Sequence, residues 1–163
     1  MIPRRVTPPV GAVVDLAEMK AHLRVLHDDE DGLISSLIAA AESHLDGWRG
    51  VLGRCILPQQ WAVDYPEAGC WRLPFPDVTS VTVSAGVGIL THDGLGAIVT
   101  LTEAATVTMD VQMPSETVDA VRLIVKLLVG HWYANREAAG ADTLSAAPLA
   151  VDALMTPLRW VVP

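Results

Sequence analysis

The spacing of apolar side chains between residues 115 and 139 predicts the longest helix of the chain. Apolar residues recur at helical intervals from Val118 to Trp132, and Ser115 stands where an N-cap is expected. The polar stripe of this helix is narrow, because apolar residues such as Leu127 lie beside it. A helix that is apolar on most sides must be covered from more than one direction. Two interpretations stay open: a central core helix of a monomer, and a helix partly covered by a neighbouring subunit.

The first third of the chain predicts a helix pair over residues 15–53. Asp15, with a glutamate three residues later, forms a capping-box-like start for a short first helix. A second amphipathic stripe runs from Leu33 to Trp48. Three prolines in residues 1–14 predict an extended arm before the pair rather than a packed element.

After Pro58 the hydrophobic pattern changes to strict alternation. Trp61, Val63 and Tyr65 alternate with other residues, and glycines punctuate the segment. We therefore predict a small antiparallel β insert over residues 59–113.

The last segment, residues 148–163, predicts a short helix and an apolar tail, with a break at Pro157. The predicted fold class is α+β and predominantly helical, in a single domain of 163 residues. Its order is an N-terminal helix pair, a small antiparallel β insert, a long central helix, and a short C-terminal helix and tail.

Composition narrows the classes of function. Apolar residues make up 51% of the chain, which is too many for a disordered protein. The net charge of -8 argues against a protein that grips nucleic acid through its phosphates. Cys55 and Cys70 have neither metal-site nor disulfide spacing, and we expect both to be reduced in a cytoplasmic setting. The first residues lack the apolar run of a signal peptide.

The acidic run at residues 28–31 is the strongest candidate for a metal site. An EF-hand loop here would place His27 at its first ligand position and Ile38 at its last, so the motif fails at both ends. A solvated helix start explains the run better. The sequence predicts no cofactor, no metal site and no catalytic cluster. A small enzyme or ligand-binding domain is kept as an alternative of another class.

Four motifs resemble the gp6-like head–tail connector family of tailed phages, prophages and gene transfer agents. They are LAEMKAHLRV at 16–25, DDED at 28–31, HWYANREA at 131–138 and ALMTPLR at 153–159. The resemblance covers both helical ends of the chain, and the order of the motifs carries it.

The resemblance implies a structural role rather than catalysis. It implies a homo-oligomeric ring, typically of twelve copies, beneath the portal in the neck of a virion that is made in the bacterial host cytoplasm. The partners it implies are the portal protein and the next neck connector or stopper, with DNA passing through the lumen without specific binding. The alternative within phage biology is another morphogenesis factor, such as a packaging accessory or a strand-rich tail terminator.

Three surfaces follow as hypotheses from the resemblance and the residue pattern. The protomer interface is expected at Arg122, Lys126, Leu127, Gly130, Arg136 and Glu137. The portal or stopper contact is expected at Leu154, Leu158, Arg159 and Trp160. An acidic channel-side corner is expected at Asp28, Asp29, Glu30 and Asp31. Whether the two chain ends order on a partner or fold back on their own subunit stays open at this stage.

Overall fold

A computed structural model of the chain describes residues 1–135 and 149–161. Its helices are α1 (Leu16–Leu23), α2 (Asp31–Leu45), α3 (Ser115–Ala134) and α4 (Leu149–Met155), and a 3-10 turn (Thr156–Leu158) follows α4. Its strands are β1 (Arg4–Thr7), β2 (Gln59–Tyr65), β3 (Gly69–Arg72), β4 (Val78–Val83), β5 (Gly88–Asp93), β6 (Gly96–Leu101) and β7 (Ala105–Val111).

The helices pack around one apolar core, with α3 against α1, α2 and α4. On α2 the stripe from Ile34 to Leu45 is buried in the same core as Ile124 and Leu128 of α3. Asp15 caps α1, since its carboxylate accepts a hydrogen bond of 2.7 Å from the Glu18 backbone N–H. No helix that the structure describes combines the length and hydropathy required of a membrane span.

The strands form two antiparallel sheets with a second apolar core between them. One sheet has the order β1-β2-β7-β4 and the other has the order β3-β6-β5. Along β7 every second residue is buried, from Ala105 to Val111, as expected for a strand with one face on the core. Aromatic rings join the aliphatic side chains of this core, and Trp61 lies 5.1 Å from Phe75 between ring centroids.

The prediction of a predominantly helical chain with a small β insert is wrong. Helices take 36% and strands 28% of the structure, and the strands form two sheets with a core of their own. The helical share was overestimated because long amphipathic helices leave a strong periodic pattern, whereas strands of four to seven residues leave a weak one.

Two local details also differ from the expectations. Pro114, not Ser115, is at the N-cap position of α3, and no side chain caps this helix. Residues 4–7 are an edge strand paired with β2 rather than an unattached arm. The helix α3 ends at Ala134, and the rest of the segment predicted to be helical, residues 136–139, lies outside the described residues.

Candidate assembly surfaces

The helix α3 uses two of its predicted interface residues for contacts inside the protomer. The Lys126 ammonium pairs with the Glu18 carboxylate of α1 at 2.7 Å. A side chain added at Gly130 would meet the His22 ring at 3.5 Å, so this glycine faces α1. The surface next to Gly130 is therefore covered by another helix of the same chain, at ordinary van der Waals distance.

The remaining described part of that predicted interface is small. Leu127 is half-buried against the helical core, and Leu123 is the large apolar residue of α3 that stays exposed. The Nε atom of Arg122 is buried without a hydrogen-bond partner within the described part of the chain. Arg136 and Glu137 lie outside the described residues. The protomer thus covers more of α3 than its sequence suggests.

The acidic corner between α1 and α2 is partly neutralised by its own chain. The Lys20 ammonium lies 2.6 Å from a carboxylate oxygen of Asp28 and 2.6 Å from one of Asp31. The hydrogen bond with Asp28 raises the pKa of Lys20 and lowers the pKa of Asp28. The Tyr133 hydroxyl donates to the Glu30 carboxylate and so ties the end of α3 to the start of α2.

Asp28 and Asp29 are the members of the corner that face solvent, and Asp29 lies 3.6 Å from the His27 ring. Among residues 1–135 and 149–161, no group of histidine, cysteine and acidic side chains could hold a metal ion. The corner is therefore a charged surface, and its described contacts do not make a ligand site.

The C-terminal segment folds back on its own subunit at the boundary between the two cores. The Trp160 backbone N–H donates to the Leu52 carbonyl at 2.7 Å, and the Trp160 ring lies over Gly96. Leu158 is buried and Leu154 is half-buried, whereas Arg159 stays exposed, 3.5 Å from Asp152.

An arginine socket lies where the N-terminal strand crosses the end of α2. The Arg5 guanidinium pairs with the Asp46 carboxylate at 2.8 Å and stacks over the Trp61 ring, 4.9 Å from its centroid. Gln59 is buried and donates to the same carboxylate at 2.8 Å, while its own oxygen accepts from the Trp61 indole N–H.

Gly47 lines this socket with a backbone φ of +80°. A Cβ there would lie 2.7 Å from an Arg5 nitrogen and 3.0 Å from the Trp61 ring. The socket joins residues 5, 46 and 61, which are distant in sequence, so reasoning from sequence missed it. The available signal was an arginine on a short N-terminal segment of an acidic chain.

This architecture is a mixed α+β fold of four helices and two antiparallel sheets among the described residues. The family model for phage gp6-like head-tail connector proteins matches residues 13–67, which span the helix pair and β2. This match confirms the resemblance inferred from the sequence motifs. No curated protein matches the chain.

Two solved structures contain chains of the same fold. One is the neck of an empty gene transfer agent (GTA) particle computed with C6 symmetry, with 20% identity and a TM-score of 0.70. The other is the virion of a native GTA particle, with 19% identity and a TM-score of 0.69. In both cases the alignment covers 99% of this chain and 96% of the other. The likeness therefore extends over the β region as well as the helices.

Proposed function

We propose that the chain is a structural head–tail connector, without enzymatic activity, in the neck of a phage-like particle. The observation that carries the proposal is the agreement of the whole fold with a chain of a GTA neck. The match of the family model over the helix pair supports it independently. The fold also argues against the alternative of a tail terminator, since we expect that class to be dominated by strands.

The proposed assembly is a closed ring in which each copy presents one surface to the next copy's different surface. The C6 symmetry of the similar neck is compatible with the twelve copies that the resemblance implies, as two copies in each repeat. DNA would pass through the lumen without specific binding, and a net charge of -8 favours this because the chain repels phosphates.

The protomer contact is proposed on the exposed side of α3, at Leu123 and the neighbouring Leu127, with Arg122 beside them. Arg122 is included because its side chain is half-buried and it adjoins Leu123 on the same helix. Lys126 and Gly130 are withdrawn from this contact, because both face α1 of their own chain. Arg136 and Glu137, outside the described residues, stay part of the proposed contact.

The portal protein and the next connector or stopper are the proposed partners. Arg159 and Leu154 are proposed to contact the portal or stopper, since neither side chain is fully buried. Leu158 and Trp160 would then support this contact from beneath by holding the tail on its own subunit. The exposed Asp28 and Asp29 are proposed to face the channel.

Electron microscopy of purified particles tests the proposal directly. We expect a ring of this chain between portal and tail, and its absence from particles that contain both would contradict the role. Leu123→Glu should abolish the ring, because it places a charge in the contact. Leu95→Glu is the matched control, since Leu95 is also exposed but lies on the tip of the β5–β6 hairpin. Equal assembly of the two variants would remove α3 from the contact.

A further inference from the structure

The N-terminal strand β1 is held on its subunit by specific polar contacts but buries little of itself. All four of its residues are exposed. Besides its backbone pairing with β2 and the stacking of Arg5 on Trp61, its anchors are the Arg5 ion pair with Asp46 and a hydrogen bond of 2.8 Å from the Thr7 hydroxyl to the Gln60 side chain. Binding of this kind is specific in its geometry and contributes modestly to stability.

The linker behind β1, residues 8–12, has few contacts of its own. It contains Pro8 and Pro9, and its residues make no hydrogen bond within the described part of the chain. Space is open around Gly11, and a cleft of about 210 Å³ separates the linker from α2. The chain is fixed again at Val13, which is buried and donates its N–H to Glu42.

Apolar side chains stand out along the same segment. Ile2 is 79% exposed, Val10 is 89% exposed, and Val6 between them is also exposed. Three such residues in nine positions are poorly placed on a free monomer, because each gains free energy when it leaves water. A contact between two copies that runs along this segment would cover all three.

We propose that β1 is exchanged between neighbouring copies in the assembled ring, so that Arg5 of one copy enters the arginine socket of the next and pairs with its Asp46. The inference rests on the proposed function, since it requires a ring. The local contacts can be reproduced, because a second copy offers the same strand partner, the same carboxylate and the same indole ring. The five linker residues span up to about 17 Å when extended, which sets how far the strand can reach towards a second copy.

Exchange leaves the hydrogen bonds of β1 unchanged and moves its exposed apolar residues into the contact between copies. Ring closure also makes each exchange effectively intramolecular, so contacts that are weak individually give a stable assembly together. The exposed and poorly packed linker is what permits the strand to leave its own subunit without disturbing either core.

Mixed assembly of single-cysteine copies tests the exchange. One batch carries Thr7→Cys and the other Gln60→Cys, both with Cys70→Ser to remove the exposed thiol. Residues 7 and 60 face each other across β1 and β2, so a disulfide forms between copies only if the strand is exchanged. We expect a covalent dimer on a denaturing, non-reducing gel after mild oxidation of assembled rings. Leu95→Cys in place of Thr7→Cys is the control and should give none.

The outcomes separate this inference from the function on which it depends. Rings seen by electron microscopy without a disulfide between copies would overturn the exchange and leave the connector role intact. A failure of the unmodified chain to form rings in particles would overturn both. If a substitution at position 7 or 60 prevents assembly, Arg4→Cys with Ala62→Cys replaces that pair, because these residues also face each other. The presence or absence of rings and of a disulfide between copies is then interpreted in the same way.

Discussion

The Arg54 guanidinium holds the Asp77 carboxylate with two hydrogen bonds of 2.6 Å each. Arg54 follows the second helix and Asp77 precedes β4, so the pair joins the helical half of the molecule to the β half. Their side chains are only 15% and 12% exposed. A pair this shielded from water is costly to break, because the surviving charge stays in a poorly hydrated site.

Asp77→Ala should therefore lower the free energy of unfolding by roughly 2–4 kcal/mol. Urea denaturation followed by tryptophan fluorescence measures the loss. Asp93→Ala is the control, because Asp93 forms the same two-pronged contact with Arg72 in an exposed position. Its effect should be much smaller, since solvent screens that pair. A loss for Asp77→Ala as small as the loss for Asp93→Ala would show that the junction does not depend on the Arg54–Asp77 pair.

Gly47→Ala should destabilise the protein by roughly 2–4 kcal/mol. Backbone strain at positive φ adds to the overlap of the new Cβ with the Arg5 guanidinium and the Trp61 ring. Gly11→Ala separates these two effects. Gly11 also has a positive φ, of +86°, but nothing lies within 4 Å of its added Cβ. It should cost only about 1 kcal/mol through backbone strain. Thermal unfolding of both variants checks this, and equal costs would mean that Arg5 moves aside freely.

Asp110 should make the protein more stable above pH 3.8 than below it. Hydrogen bonds from Ser80 and Gln60 lower the pKa of Asp110 from its ordinary value of 3.8. The folded state then binds fewer protons than the unfolded state, so this stability is lost as the pH falls from 3.8 through the lowered pKa. Asp110→Asn should flatten that part of the curve by less than about 1 kcal/mol, given the solvent around the site. Denaturation between pH 2 and pH 5 measures it, and an unchanged curve would contradict the assignment.

Glu42 should have the opposite effect on stability. Burial raises its pKa from the ordinary value of 4.5, against the hydrogen bonds donated by the Val13 and Val14 backbone N–H groups. The folded state binds more protons here, so stability falls as the pH rises from 4.5 through the raised pKa. Glu42→Gln keeps an acceptor for Val13 and should remove this decline. Stability measured from pH 4 to pH 7 decides, and parallel curves for the two proteins would exclude the effect.

Trp132→Ala should cost roughly 1–3 kcal/mol, below the 3–5 kcal/mol of a fully buried tryptophan. The residue is half-buried against the helical core and therefore loses only part of its contacts. Ile124→Ala, at a fully buried position of the same helix, should cost about 2–5 kcal/mol. An unchanged melting temperature for Trp132→Ala would place the indole outside the core.

The sequence predicted the features that depend on neighbouring residues. The Asp15 cap and the stripe of α2 are local, since a capping side chain reaches only three residues and a helical face repeats every turn. The alternation around Trp61 correctly indicated a strand for the same reason. The order of such motifs was enough to identify the resemblance to the connector family.

By itself, then, the sequence determined the helices, most strands and the resemblance to the connector family. The tertiary structure decided how much of the chain is sheet and that β1 pairs with β2. It also decided that Gly130 faces α1 of its own chain rather than a neighbouring copy. It also brought Arg54 to Asp77 and Arg5 to Asp46. These contacts join residues more than twenty positions apart, and their energies depend on burial and on the partner's direction. The identity and direction of a distant partner leave no period in the sequence, because they are set only when two distant segments share the same space.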